Sequence, residues 1–256
     1  MSGFDRMRGV ALVTGGSGGI GAAVVRKLRS AGASVALTYR SRPPEELLAE
    51  LGDQVSAHPL DLSLPAEQAG AAAAALVAEL TDRHGAVHTL VHAAGPHVPM
   101  VHLSKVAPAE FAAQVDADLV GFFAVAHAAL PALRESAGSI VVVTSAATRR
   151  YPVRDGLSAA PKGGVEALAR ALAVEEGRFG IRVNCVGPGM LHDGMSARLM
   201  ASGDLDERAL AVATANIPLR RFGRAEDVAE AVVFLASPAA GFISGQKLDV
   251  DGAYGV

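Results

Sequence analysis

One cysteine, Cys185, in 256 residues leaves no partner for an internal disulfide and no thiolate cluster for a metal. That scarcity fits a reducing compartment, and a cytoplasmic location is expected. No basic run is present either: the positive charges are scattered as single arginines and short pairs, and the formal net charge is −3, so nothing marks a nucleic-acid surface. The opening MSGFDRMRGVALVTGG lacks the apolar stretch of a signal peptide. Later apolar runs are broken by glycine, proline or charge short of a bilayer span, so no membrane segment is expected. Eight histidines show no metal spacing: His84 and His88 are four apart, but Gly85 and the strand that follows break the helix between them, and no metal is expected. No proline-rich or charged linker divides the chain.

What is present is 50% hydrophobic, enough for a sizeable core. Short apolar or β-branched runs (GVALVTGG, SVALTYR, QVSAHPLDL, HTLVHAAG, SIVVVTSA, IRVNCVGPG, KLDVDG) alternate with longer helical patterns. Strands that read as continuous apolar runs with helical crossovers predict a parallel sheet covered on both faces, an α/β doubly wound architecture over residues 1–256 as one domain. The alanine-rich 66–80 segment suits an ordinary close-packed helix. The long excursion at about 190–220 has the length of a lid over a site.

Between the first strand and first helix, VALVTGGSGGIGAAVVRKL places Gly15, Gly19 and Gly21 where a dinucleotide pyrophosphate would dock. Gly15 and Gly19 permit the turn and the close approach, Gly21 lets the helix pack on the sheet, and the helix N-terminus offers free N–H groups to phosphate. Ser17 and Ile20 in the same turn count with them as cofactor contacts. After the second strand, where an acid would grip the ribose 2′-hydroxyl of NAD, the sequence reads TYRSRPP. Arg40, Ser41 and Arg42 suit a 2′-phosphate, which predicts NADP(H) over NAD(H); a solvated loop carrying two arginines is the competing explanation.

The spacing of TGGSGGIG (14–21), AAG (93–95), Ser145, Lys162, PG (188–189) and GQKLDVDGAY (245–254) resembles the short-chain dehydrogenase/reductase family along essentially the whole chain. The resemblance implies a Rossmann-like seven-stranded fold, nicotinamide binding and a homo-oligomer, commonly a tetramer, otherwise a dimer. It implies that Asp61 and Leu62 flank the adenine, Ala94 and Gly95 the ribose side, and Pro188 and Gly189 the nicotinamide. Several positions depart from the family pattern: His92 and Ala93 replace the asparagines common before AG, Asp118 replaces the helix asparagine, Asp193 replaces the threonine after PG, and Ser158 stands where the family carries its tyrosine acid. Serine in the pattern SxxxK is similar to the 2,4-dienoyl-CoA reductase branch, as are SAAPKGGVEALARALAVEEGRFGIRVN and IPLRRFG; the replacement tyrosine of the mitochondrial type aligns with Ala147.

Each candidate has a plainer explanation beside the functional one. Lys162 is one of four lysines in a chain whose usual cation is arginine, which favours a dedicated role over surface charge. Ser145 ends a buried strand at the ligand edge of the sheet, or is a strand-end turn serine. Asp118, among apolar residues of a long helix, needs a lysine or water partner, or a structural hydrogen bond. Tyr151 overhangs the cofactor or is an exposed loop aromatic. Pro161 is tolerated only in a first helical turn, so the helix is expected to start near Ser158, which would then serve as its N-cap and not as a site residue. His92, His97 and His192 approach the substrate side by their loop positions.

The expected activity is reduction of a conjugated enoyl or dienoyl thioester or related carbonyl compound by NADPH. Lys162 would hold the ribose, Ser145 and Ser158 would contact the substrate oxygen, and Asp118, Tyr151 or water would supply the proton. A conventional carbonyl reductase or alcohol dehydrogenase is the second expectation, and a non-catalytic NADP(H)-binding subunit the third.

Overall fold

Seven short runs dominated by valine, leucine, isoleucine and alanine form strands in the computed structural model, which describes residues 3–96, 98–192 and 207–256. They are β1 (Val10–Thr14), β2 (Ser34–Tyr39), β3 (Val55–Pro59), β4 (Val87–His92), β5 (Ser139–Val143), β6 (Arg182–Pro188) and β7 (Lys247–Val250). All pair in parallel, in the order β3-β2-β1-β4-β5-β6-β7. Parallel strands need crossovers, and the helices that make them cover both faces of the sheet, which is why β1, β4 and β5 are buried at every residue.

Helices α1 (Gly19–Ser30), α2 (Glu45–Leu51) and α8 (Ala225–Ala236) contribute to the core on one face, where Val24, Leu28, Leu47, Val228 and Val232 pack. Helices α3 (Ala66–His84), α5 (Gly121–Ser136) and α6 (Gly156–Glu176) contribute to the other, through Leu76, Leu80, Phe122, Val125, Leu133, Val165 and Leu172. Helix α4 (Pro108–Val115) leads into α5 through a π-helical turn, Asp116–Val120, and α7 (Glu207–Ala215) precedes α8. The architecture is the expected α/β doubly wound sheet.

Two expectations are corrected. The apolar runs are not all interrupted short of a bilayer span: Pro108–Ser136 is helical for 29 residues and long and apolar enough to cross one by length and composition. Gly121 and Pro131 do not break it, and Phe122, Val125, Ala126, Ala129 and Leu133 bury their face of it in the core. Helix α6 starts at Gly156, not near Ser158, so Pro161 sits in its second turn. The chain reaches helical geometry early because Asp155 O accepts from both Ser158 N (3.1 Å) and Ala159 N (2.9 Å).

Strand order reverses between β1 and β4, whose outer neighbours are β2 and β5. Ligands of open α/β sheets enter at such a reversal, at the carboxyl ends of the strands. Thr14, His92 and Val143 end three of those strands there.

Candidate active site

The turn after β1 is shaped for a close-approaching ligand. Gly15 has φ +68°, and a β-carbon on it would lie 2.6 Å from the α-carbon of Ala94; one on Gly21 would lie 2.1 Å from the carbonyl oxygen of Gly15. The absence of a β-carbon at Gly21 therefore lets the start of α1 lie directly against the turn that follows β1. No side chain caps α1, whose N-cap is Gly18, so its first N–H groups are not taken by a side chain. Gly15 N is held by Thr38 Oγ1 at 3.2 Å, while Ser17 and Gly19 are exposed and Ile20 packs half-buried on the core. Gly21→Ala is expected to cost about 1–3 kcal/mol by overpacking the turn, and a dinucleotide titration should then show weakened binding with the sheet's circular-dichroism signature intact.

Arg40, Ser41 and Arg42 follow β2 on the exposed rim. Asp61 accepts from Ser63 N and Ser63 Oγ at 2.9 and 2.6 Å, and these bonds hold its carboxyl below the usual range, with the Arg40 charge a lesser cause. Leu62 buries its side chain in the core beside Gly121. Ala94 meets the Gly15 turn, and Gly189 N donates to Val250 O at 3.0 Å where β6 ends at Pro188.

At the head of the crevice, the π-helical turn swings Asp118 inward. Its side chain is 2% exposed, and Oδ1 accepts from Lys162 Nζ at 2.7 Å. The ammonium also points at Val143 O, 3.4 Å away. A β-carbon on Gly95 would stand 3.5 Å from that nitrogen, so the pair lines the floor that Ala94 and Gly95 leave open. A π-turn in a long helix is the kind of irregularity found at functional sites, and here it resolves the carboxylate expected to need a partner.

Ser145 caps a 3-10 turn, Ala146–Thr148, by accepting from Ala147 N at 3.1 Å. Its hydroxyl proton is given to no described residue. Ser158 lies in the first turn of α6, where its N–H is satisfied by Asp155 O; the expectation that it is the N-cap is overturned, because Asp155 occupies that position. Spacings of three and four place Asp155, Ser158 and Lys162 along one face of α6.

Tyr151 is 69% exposed and is not drawn into this cluster. His92 is not on the substrate side: it is buried, its Nδ1 shares a 2.9 Å hydrogen bond with Thr14 Oγ1, and its ring lies 5.1 Å from that of Phe122. Burial, and secondarily the Lys162 charge, push its pKa down to about 3. His192 rests edge-on against Phe222. His97, Asp193 and much of the 190–220 excursion lie outside the described residues.

Two features went unread in the sequence. Lys247 on β7 donates to Ser145 O at 2.8 Å and to Thr148 Oγ1, and its ammonium pairs with Glu166 at 3.0 Å. Asp249 Oδ1 stands 3.1 Å from it, off the hydrogen-bond direction. This network ties the Ser145 turn to α6 and to the last strand. Its signal was Lys247 and Asp249, opposite charges two residues apart on one short strand. The second is Asp155, a half-buried carboxyl that burial raises to about 6.

A sequence profile of the family described as enoyl-(acyl carrier protein) reductase matches residues 15–255. The chain is 34% identical to a 3alpha-hydroxysteroid dehydrogenase of Mediterraneibacter gnavus over 95% of this chain and 96% of that protein. It is 36% identical to an acetoacetyl-CoA reductase of Synechocystis over 96% of this chain and 95% of that protein. A peroxisomal 2,4-dienoyl-CoA reductase of Saccharomyces cerevisiae is 42% identical over 150 residues, 58% of this chain and 50% of that one. Among solved structures, a short-chain type dehydrogenase/reductase from Mycobacterium ulcerans superposes with a TM-score of 0.88 at 29% identity, over 97% of this chain and 90% of that one.

Proposed function

Because this chain belongs to the short-chain dehydrogenase/reductase family, a group of oxidoreductases, we propose that it is an NADPH-dependent reductase of conjugated enoyl or dienoyl thioesters or related carbonyl compounds. The observation that carries the reading is the Lys162–Asp118 pair beneath Gly95, at the carboxyl ends of the strands and beside the glycine turn.

The residues fit a nicotinamide dinucleotide. The close approach at Gly15 and Gly21 leaves backbone room for a pyrophosphate, and the uncapped start of α1 supplies donors to it. Arg40 and Arg42 are free on the rim to meet a 2′-phosphate. When bound, the reduced nicotinamide supplies a hydride.

The chain's own groups do the rest. An ammonium has three protons. Asp118 accepts a hydrogen bond from one of them, Val143 O lies toward a second, and the third remains to grip a ribose hydroxyl. Ser145, already an acceptor from Ala147 N, keeps its proton for a substrate oxygen. Ser158, which is not the N-cap of α6, lies one turn before Lys162, and its hydroxyl would contact the substrate oxygen. A serine alcohol is far too weak an acid to replace a tyrosine in ketone reduction. This favours conjugate reduction, in which charge ends on a thioester enolate and the proton goes to carbon. Likeness to the dienoyl-CoA and acetoacetyl-CoA reductases supports an acyl thioester. Likeness to the hydroxysteroid dehydrogenase favours the second reading, a conventional carbonyl reductase.

Binding and turnover separate these readings. Fluorescence titration is expected to give a Kd for NADPH about tenfold or more below that for NADH, equivalent to roughly 1.4 kcal/mol or more. NADPH oxidation is expected with 2,4-dienoyl-CoA or 2-enoyl-CoA above a ketone panel. Turnover of ketones alone establishes the second reading, and tight NADPH binding without turnover of any substrate establishes a binding subunit.

A further inference from the structure

We propose that Asp155 is the acid that hands the substrate its proton, standing one helical turn outward from Ser158 on the α6 face that carries Lys162. The proposal rests on the reductase reading above and names the proton source that reading needs.

Among the described residues, the two other candidate acids are placed differently. Asp118 is committed to Lys162 at 2.7 Å and has 2% of its side chain exposed, and Tyr151 is 69% exposed. Asp155 holds the N-cap position of α6, yet its carboxyl caps nothing: the first-turn N–H groups of Ser158 and Ala159 go to its backbone oxygen. Aspartate at an N-cap normally accepts from the second or third helical N–H. Here neither carboxyl oxygen has a hydrogen-bond partner among the described residues, although the residue is half-buried. Its oxygens are not among the polar atoms sealed from water without a partner, so the carboxyl stays accessible and uncommitted.

The surroundings hold it in that state. Arg154, just before it, adopts φ +75°, a conformation costly for a non-glycine residue, and its guanidinium donates twice to Met100 O, at 3.0 and 2.7 Å. A β-carbon on Gly156, just after it, would lie 2.7 Å from the Leu103 side chain. The 100–103 segment is thus clamped over the head of α6.

Charged groups on the packed elements are engaged, exposed or distant. Arg154 is held by Met100, Arg149 by Asp249 and Arg150 by the Tyr254 carbonyl, while His102 and Lys105 are exposed. Lys162 is seven residues, about 10 Å, further along the helix axis. Burial is accordingly the cause that lifts the carboxyl to about 6, where an acid can donate near neutral pH.

The placement suits conjugate reduction, because the protonated carbon lies at least one bond beyond the carbon that takes hydride. A reduced nicotinamide, when bound, would supply hydride to the far end of the double-bond system and be oxidised, and the electron pair displaced from the double bond would move to the thioester oxygen. As the carbonyl re-forms, the α-carbon takes the Asp155 proton. The carboxylate left behind is reprotonated from solvent.

The test compares the wild type, Asp155→Asn and Asp155→Glu, each as the full chain, with saturating NADPH and a 2-enoyl-CoA. For the wild type, kcat is expected to fall tenfold per pH unit above about pH 6. D155N is expected to lose about 100-fold in kcat and that pH limb together, with unchanged NADPH Kd and no loss of thermal stability, while D155E keeps the limb at reduced rate. An active wild type whose kcat and pH profile survive in D155N overturns the proposal alone. If only ketones turn over, the thioester reading falls and the same variants are scored on the ketone, where the loss in D155N sustains the proton assignment and its absence overturns it. A wild type that binds NADPH and turns over nothing overturns both.

Discussion

Lys162→Met is expected to lower stability by about 3–5 kcal/mol and to reduce kcat/KM by at least about 100-fold, and the two losses have separate causes. Asp118 is paired with the Lys162 ammonium at 2.7 Å, with side-chain exposures of 2% and 13%. Removing the ammonium leaves a carboxylate in a place from which water is excluded, and uncompensated buried charge is among the most damaging outcomes of a point substitution. In a chain of this size each kcal/mol moves Tm by roughly 2–4 °C, so a fall of roughly 6–20 °C is expected by calorimetry. The double variant Lys162→Met/Asp118→Asn removes the orphaned charge. It should recover most of the lost Tm and none of the activity, because the donor for the ribose remains missing. Recovery of activity along with Tm would show that Lys162 serves the fold alone.

Acid is expected to destabilise the protein by about 3 kcal/mol between pH 7 and pH 5, before the ordinary and depressed carboxylates titrate. Burial pushes His88 down to about 4 and His92 down to about 3, both from an ordinary value of 6.5. Between pH 6.5 and those values the unfolded chain takes up two protons that the folded chain refuses, so their contribution is whole above about pH 6.5 and is lost as pH falls. Asp155 runs the other way: raised to about 6, it binds its proton in the folded state first and returns about 1 kcal/mol over the same interval, allowing for its partial exposure. Stopping at pH 5 avoids Asp61, Glu176 and Asp227, whose values lie below the usual carboxylate range. Thermal melts at pH 7, 6 and 5 should therefore show a falling Tm, with about two-thirds of the slope removed in His92→Asn and a steeper slope in Asp155→Asn. A Tm independent of pH across that range would mean that neither ring is held neutral by burial.

Much of the candidate site was legible because its signals are local. The Gly15 to Gly21 spacing specifies a turn at a strand–helix junction whatever the rest of the chain does, and Lys162 stood out as a rare lysine. Asp118 among apolar residues announced a need for a partner, and the structure supplies Lys162, 44 residues away. Other residues could not be read this way. His92 sits in a loop-like AAG context, yet the register Thr14↔His92 turns its ring into the core. Pro161 argued for a late helix start, but the two hydrogen bonds to Asp155 O begin the helix earlier and change the duty of Ser158. Asp155 is unremarkable in sequence, since its burial comes from tertiary packing around the head of α6, where residues 100–103 meet its neighbours Arg154 and Gly156.

The sequence by itself determined the layered α/β architecture, the glycine turn and the family, because periodicity and short spacings fix elements and their junctions independently of distant contacts. Only the tertiary structure decided which ionisable groups are paired, stranded or silenced: Asp118 with Lys162, Lys247 with Glu166 beneath Ser145, Asp155 without a partner among the described residues, His92 neutral in the core. The physical reason is that protonation and charge pairing depend on desolvation and on neighbours within a few ångströms, and the folded chain draws those neighbours from elements far apart in sequence.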